Sequence, residues 1–300
     1  MIASKAMESP MKAEADRKIL DSYLGAGVKR ETTDSSLLIS SSRYLNNPQI
    51  RDIIATWLLR KNGPDFPVEA DHTLGLSTAM AQVNPAHETA ALMEEERKIN
   101  PAFDAWLKEG FISTYTNDDF HKYAPGTVGG IISKQIKERG FDIQLGLDLN
   151  NFDPSNAYDY WRVRSRQTHD FEHIITGGQF NSLGEIPVIF GRTVNEATHL
   201  SPALASRLAA YTMFAGLRMI SRSLLHYPET WPMAMRLLEQ GIRVGRESPP
   251  FWFFRWEEVF HLTPAEARVH FGMPEAEEIE CFREASIFRE DPEMMALAAE

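Results

Sequence analysis

Helix start signals recur along this chain and constrain its fold more than any other feature of the sequence. They are Asn47-Pro48, Asn84-Pro85, Asn100-Pro101 and Ser201-Pro202, each a capping residue followed by a proline suited to a first helical turn. After the first, Ile50, Ile53 and Trp57 share one helical face. Alternating strand patterns are scarce, and the best candidate, residues 186–190, contains Pro187. We predict an all-α fold, a single multi-helix globular domain with a polar N-terminal extension.

The first of these helix starts separates a polar N-terminal segment from the helical part of the chain. Residues 1–47 are polar and rich in Ser, Thr and Asp, which is typical of a partly mobile arm, and residues 48–290 form the predicted helical domain. Its later helices are predicted over residues 131–139, 153–176, 184–197, 201–226, 231–246 and 264–271.

Charge and cysteine content limit the partners and the compartment. The formal net charge is −11, which argues against nucleic acid as a partner. Cys281 is the only cysteine, so no disulfide can form within one chain. No signal peptide and no apolar run long enough to cross a membrane is evident, so we expect a cytoplasmic protein.

One segment carries the strongest chemical signal. It contains His169, Asp170 and His173, and Glu185 follows after eleven residues. On a helix, residues four apart share a face, so both imidazoles point the same way. The glycine pair at residues 177–178 lets the chain turn and a returning helix bring Glu185 back. Imidazoles with carboxylates suit Zn²⁺, Fe²⁺, Mn²⁺ or Co²⁺, and such a set with open positions is used by non-haem iron oxygenases.

Two other interpretations use the same residues. Histidines four apart can simply share a helix face without binding metal. Residues 169–173 also match the H-x-x-E-H metallopeptidase pattern, in which Glu172 is the general base and a distant acid such as Glu247 or Glu257 completes a zinc site. In the non-peptidase interpretations Glu172 is expected to face solvent.

Two arginines lie on the same face of the predicted helix as the two histidines. Arg162, Arg166, His169 and His173 are separated by 4, 3 and 4 positions. Arg162 and Arg166 can therefore hold a substrate carboxylate or phosphate beside the candidate ligands. The alternative is surface pairing with Asp159 or Asp170.

The helix predicted over residues 201–226 suggests contact with lipid. Its arginines, Arg207, Arg218 and Arg222, fall within a narrow arc and can form a basic stripe on an anionic membrane, or belong to an ordinary core-facing helix. Candidates for holding an apolar tail, if they are not plain core, are Met213, Phe214, Leu217 and Ile220. The aromatic segment 249–256 suits a membrane interface, a core lid or a dimer contact.

The motif as a whole resembles a known family. His-Asp-x-x-His-x11-Glu is similar to the signature of the Coq-four family of ubiquinone (coenzyme Q) biosynthesis proteins. Residues 123–129 resemble that family's Pro-Gly-Thr turn, and residues 256–272 resemble its terminal segment. The resemblance covers roughly residues 90–275, leaving about the first 80 residues without a counterpart, and Glu172 is an additional acid within the motif.

This resemblance implies a helical, membrane-peripheral protein whose His169, Asp170, His173 and Glu185 bind a divalent metal and form the catalytic set. The implied metal is zinc, with iron, manganese or cobalt also compatible with the ligands. The implied reaction replaces the ring carboxylate of a polyprenylated, 4-hydroxybenzoate-derived ring by hydroxyl. The implied partners are that quinone precursor, the surface of the inner membrane, other quinone-biosynthesis proteins and a second copy of the chain in a homodimer. A non-catalytic lipid-binding scaffold is the alternative.

Overall fold

The computed structural model describes residues 39–59, 61, 70–143, 153 and 155–290. These residues are mostly helical and contain no β-strand, which confirms the all-α prediction. From Arg43 onward they belong to one compact unit. The mobility predicted for the N-terminal arm concerns a segment that lies, up to residue 38, outside the described residues.

The described part of the chain contains eleven α-helices. They are α1 (Pro48–Leu59), α2 (Ala70–Val83), α3 (Ala86–Ile99), α4 (Pro101–Glu109), α5 (Val128–Arg139), α6 (Ala157–Thr176), α7 (Glu185–His199), α8 (Pro202–His226), α9 (Trp231–Glu247), α10 (Pro264–Phe271) and α11 (Phe282–Glu290). Short 3₁₀ turns occupy Asn117–Lys122, Pro228–Thr230, Phe251–Phe253 and Trp256–Glu258. None of the described helices is both long and apolar enough to cross a membrane.

Local capping chemistry sets the ends of α6, the helix that carries the motif. Its first turn is capped by Asn156, whose side chain accepts hydrogen bonds from the backbone N–H groups of Tyr158 and Asp159. The predicted start at residue 153 is therefore a few residues early. The helix ends as predicted at Gly177, whose φ of 75° is left-handed and favours glycine.

The strand candidate at residues 186–190 is helical and belongs to the first half of α7. Pro187 lies in the first turn of this helix, where its missing N–H costs no intrahelical hydrogen bond. α7 then packs closely against α9. A Cβ atom added at Gly245 would lie 2.2 Å from the carbonyl oxygen of Gly191, so the two backbones meet where no side chain fits. This close approach sets the position of α7 against α9.

The predicted basic stripe of α8 is not exposed. Arg218 and Arg222 are fully buried. Arg218 donates to the carbonyl oxygens of Trp57 (3.3 Å) and Lys61 (3.1 Å), and the Arg222 guanidinium lies 4.3 Å from the centre of the Phe288 ring. The membrane-stripe interpretation of these arginines is therefore wrong, because tertiary packing covers the side of α8 that carries them.

The aromatic segment 249–256 is also packed inside. Phe251, Trp252, Phe254 and Trp256 are all buried. Trp256 stacks on Phe171 of α6 with ring centres 5.0 Å apart. Of the three interpretations of this segment, the structure favours a core lid, and this lid covers the side of α6 that carries Phe171.

Candidate metal centre

Helices α6 and α7 bring three of the predicted ligands together. His169 and His173 stand one turn apart on α6, and Glu185 is the first residue of α7. One ligand atom from each lies within 4.8 Å of the other two. His173 Nε2 is 3.2 Å from Glu185 Oε1, and His169 Nε2 is 3.6 Å from Glu185 Oε2. A single carboxylate thus faces both imidazoles across the gap between the helices.

The loop between the two helices fixes the position of Glu185. The Asn181 side-chain oxygen accepts hydrogen bonds from the N–H groups of Leu183 (3.1 Å) and Gly184 (2.9 Å). The Asn181 carbonyl oxygen accepts the N–H of Glu185 at 3.2 Å. At the start of the loop, a Cβ on Gly177 would lie 2.0 Å from the carbonyl oxygen of Glu277, so the C-terminal segment presses directly on this turn.

The electrostatics of the three groups are mutually consistent. Burial raises the pKa of Glu185, but His173 and His169 outweigh that effect and hold the pKa well below its usual value. Burial lowers the pKa of His169, and the Glu185 carboxylate more than reverses this, so the pKa of His169 is raised. The site therefore keeps Glu185 as an anionic carboxylate, the form that binds a metal ion, whereas His169 must release its proton to act as a ligand.

Asp170 lies beside this group and not in it. No oxygen of Asp170 belongs to the set of ligand atoms that converge within 4.8 Å. Burial raises the pKa of Asp170, and the charges of His169 and His173 act in the opposite direction. The Asp170 carboxyl therefore interacts electrostatically with the two histidines of the ligand group. The role of Asp170 as a fourth ligand stays a prediction.

The donor set matches the chemistry of a divalent metal. Two imidazole nitrogens and a carboxylate oxygen suit Zn²⁺, Fe²⁺, Mn²⁺ or Co²⁺. Three protein ligands also leave coordination positions for a substrate or water, as in catalytic sites. The residues present therefore fit a metal ion, and its identity stays a prediction.

Glu172 does not face solvent as expected. It is buried, and Arg192 of α7 binds both of its oxygens, Nε to Oε2 at 2.9 Å and Nη2 to Oε1 at 2.8 Å. The Thr168 hydroxyl donates a further bond to Oε1 at 2.8 Å. A carboxylate held in this way is not available as the general base of a peptidase. Neither Glu247 nor Glu257 joins the ligand group, so the metallopeptidase interpretation has no support in this geometry.

The two candidate anion-binding arginines differ in their surroundings. Arg162 is exposed, and its Nη1 lies 3.6 Å from Asp159, which matches the surface-pairing alternative. Arg166 is exposed too, and its charge acts on both Asp170 and Tyr211. An anion-binding role for either arginine stays a prediction.

The four candidate tail residues do not share one environment. Met213 and Leu217 are 37% and 40% exposed. Phe214 packs into the cluster around α1 and α2, with its ring 6.0 Å from that of Tyr44, and Ile220 packs against a second cluster. Their part in holding a lipid tail stays a prediction.

Two residues near the ligands were not anticipated from the sequence. Arg192 follows Glu185 by seven positions, so helical spacing places it on the same face of α7. Phe180 stacks on His173 from the loop, where no periodic pattern exists to indicate it.

Comparison with known proteins agrees with the motif. The family model described as coenzyme Q (ubiquinone) biosynthesis protein Coq4 matches residues 111–276. No curated protein matches the chain. A crystal structure of a protein from Nostoc punctiforme PCC 73102, described as a candidate ubiquinone biosynthesis protein, is similar at 20% identity over 76% of this chain and 98% of that chain, with a TM-score of 0.48.

Proposed function

This chain belongs to the family of the coenzyme Q (ubiquinone) biosynthesis protein Coq4, and we propose that its part in that biosynthesis is a metal-dependent oxidative decarboxylation. The substrate is a polyprenylated ring derived from 4-hydroxybenzoate, and hydroxyl replaces the carboxylate at the same ring carbon. The observation that supports this proposal is the convergence of His169, His173 and Glu185 within 4.8 Å, at the junction of two helices.

The reaction breaks the ring carbon–carboxylate bond, releases CO₂ and forms a carbon–oxygen bond. It is a two-electron oxidation of the ring acid. With dioxygen as the oxidant it balances as ring–COOH + O₂ + H₂O → ring–OH + CO₂ + H₂O₂. His169, His173 and Glu185 would hold the metal, with Asp170 as the fourth ligand. The bound metal would supply Lewis-acid activation if it is zinc, or redox chemistry if it is iron, manganese or cobalt.

The protein's own side chains would bind and orient the substrate. Arg166 would receive the ring carboxylate through charge-assisted hydrogen bonds and hold the ring beside the histidines. Arg162, one turn away along the helix, is already paired with Asp159 and is given no part in binding. Met213 and Leu217, exposed on α8, offer apolar surface for the prenyl tail or for a membrane surface. Phe214 and Ile220 pack against two different core clusters and would line the tail site only from the interior. We extend the proposal to a homo-oligomer working with other quinone-biosynthesis proteins.

Release of labelled CO₂ tests this function directly. Purified protein is given a prenylated ring acid labelled at its carboxyl carbon, with dioxygen and each candidate metal in turn. We expect metal-dependent release by the wild type and none by Glu185→Ala. Arg166→Ala should lose about 10- to 100-fold in kcat/KM, the size of a lost charged hydrogen bond.

Arg162→Ala is the matched control, because it removes an exposed arginine from the same helix that is already paired with Asp159. Its kcat/KM should stay within about twofold of the wild type. Equal CO₂ release by the wild type and Glu185→Ala would contradict the proposal. No release by the wild type above the protein-free background would also contradict it and would favour the lipid-binding scaffold.

A further inference from the structure

No described residue gives His173 the second hydrogen bond that usually orients a metal-binding imidazole. Its side chain is 3% exposed, and its Nε2 faces Glu185. Its other nitrogen, Nδ1, is buried and has no hydrogen-bond partner among the described residues. In most metal sites that second nitrogen donates to a carboxylate or a carbonyl oxygen, which fixes the plane of the ring. Something else must fix it here.

The ring of Phe180 occupies the face of this imidazole. The two ring centres are 5.0 Å apart and the planes are inclined by 23°, a stacked arrangement. Rotation of His173 about its Cβ–Cγ bond would turn the imidazole into the phenyl ring. In the described part of the chain no ring stacks on His169: its own ring meets His173 edge-on at 86° and is partly exposed.

Phe180 is itself held firmly, although it lies in a loop. Arg139 Nη1 donates to the carbonyl oxygen of Phe180 at 2.6 Å. The Phe141 ring packs against the Phe180 ring with centres 6.1 Å apart and planes at 73°. Both side chain and backbone are therefore anchored to the end of α5 and the residues that follow it.

We propose that Phe180 is a positioning residue for the metal centre: its flat face holds the His173 ring in the ligating orientation, in place of the absent hydrogen bond. This inference rests on the proposed function, because it assumes that His173 ligates a metal. Phe180 touches a ligand and not the substrate, so its effect is expected first in metal binding.

Metal titration of substituted proteins tests the inference. Phe180→Leu keeps apolar volume but loses the flat face, and Phe180→Tyr keeps the face. We expect Phe180→Leu to weaken Co²⁺ binding by about 10- to 100-fold, the range seen when ligand-orienting groups are removed, and Phe180→Tyr to bind nearly as well as the wild type. The visible spectrum of bound Co²⁺ should change in the leucine variant and not in the tyrosine variant.

Phe141→Leu is the control for a general loosening of the loop, because it removes a ring that touches Phe180 but is not stacked on His173. It weakens the support of Phe180 but leaves the phenyl face on His173, so it should change Co²⁺ binding and the Co²⁺ spectrum less than Phe180→Leu does. If the wild type binds Co²⁺ and Phe180→Leu binds it with the same Kd and spectrum, the inference fails while the proposed function stands. If the wild type binds no metal, the proposed function fails and takes this inference with it.

Discussion

Replacing Arg192 by alanine is expected to lower the free energy of unfolding by about 3 to 5 kcal/mol, the cost of breaking one partner of a buried ion pair. Arg192 binds both oxygens of Glu172, and Glu172 is buried. Without the guanidinium, that carboxylate must stay in the interior unpaired or force α6 and α7 apart. Denaturant unfolding of metal-free protein at neutral pH measures the loss.

Two further proteins make this result interpretable. Arg162→Ala removes an exposed arginine from α6 and should cost less than about 1 kcal/mol. The double variant Glu172→Gln with Arg192→Met removes both charges while keeping the volume filled, and should recover most of the stability lost in Arg192→Ala. A loss in Arg192→Ala no larger than that in Arg162→Ala would show that the pair does not join the two helices.

Replacing Glu196 by glutamine is expected to change the free energy of unfolding by an amount that depends steeply on pH. Glu196 is 3% exposed, and its Oε2 has no hydrogen-bond partner in the described part of the chain. Burial raises the pKa of Glu196 to about 8; Arg192 lowers it and Glu172 raises it further. The folded protein therefore keeps this proton over a range in which the unfolded chain has already released it.

The sign of the effect follows from that difference in bound protons. Protonated Glu196 makes its full contribution to the free energy of unfolding below the ordinary glutamate pKa of about 4.5. That contribution is lost progressively as the pH rises to about 8. Between these pH values the free energy of unfolding of the wild type should fall by about 1.4 kcal/mol per pH unit relative to that of Glu196→Gln, which has no titrating group at this position. Urea unfolding of both proteins across the window measures the difference. A difference that is constant with pH would contradict a buried, protonated Glu196.

Helix boundaries could be predicted where a local interaction decides them. Gly177 ends α6 because a left-handed residue is needed there, and Ser201-Pro202 opens α8, which ends at His226 as predicted. The start of α6 is predicted three residues too early, at residue 153, whereas the side chain of Asn156 caps the helix. Both residues are of types that cap helices, so residue type alone does not distinguish the two starts.

Burial of charged residues could not be predicted in the same way. Helical spacing shows that Arg218 and Arg222 share a face, but the groups that cover that face, such as Trp57, are far away in the sequence. Glu172 was expected at the surface for the same reason, because its partner Arg192 lies on another helix. In the site, spacing predicted the approach of His169, His173 and Glu185, whereas the stacking of Phe180 depends on a loop conformation.

The most direct test of the central claim is the metal content of the purified protein, measured by elemental analysis for the wild type, His169→Ala and Glu185→Ala. We predict one metal ion per chain in the wild type and loss of that ion in both variants, because each removes one of three converging ligands. The element found will decide between Lewis-acid and redox chemistry. A wild type that holds no metal, even after incubation with zinc, iron, manganese and cobalt ions, would contradict the account.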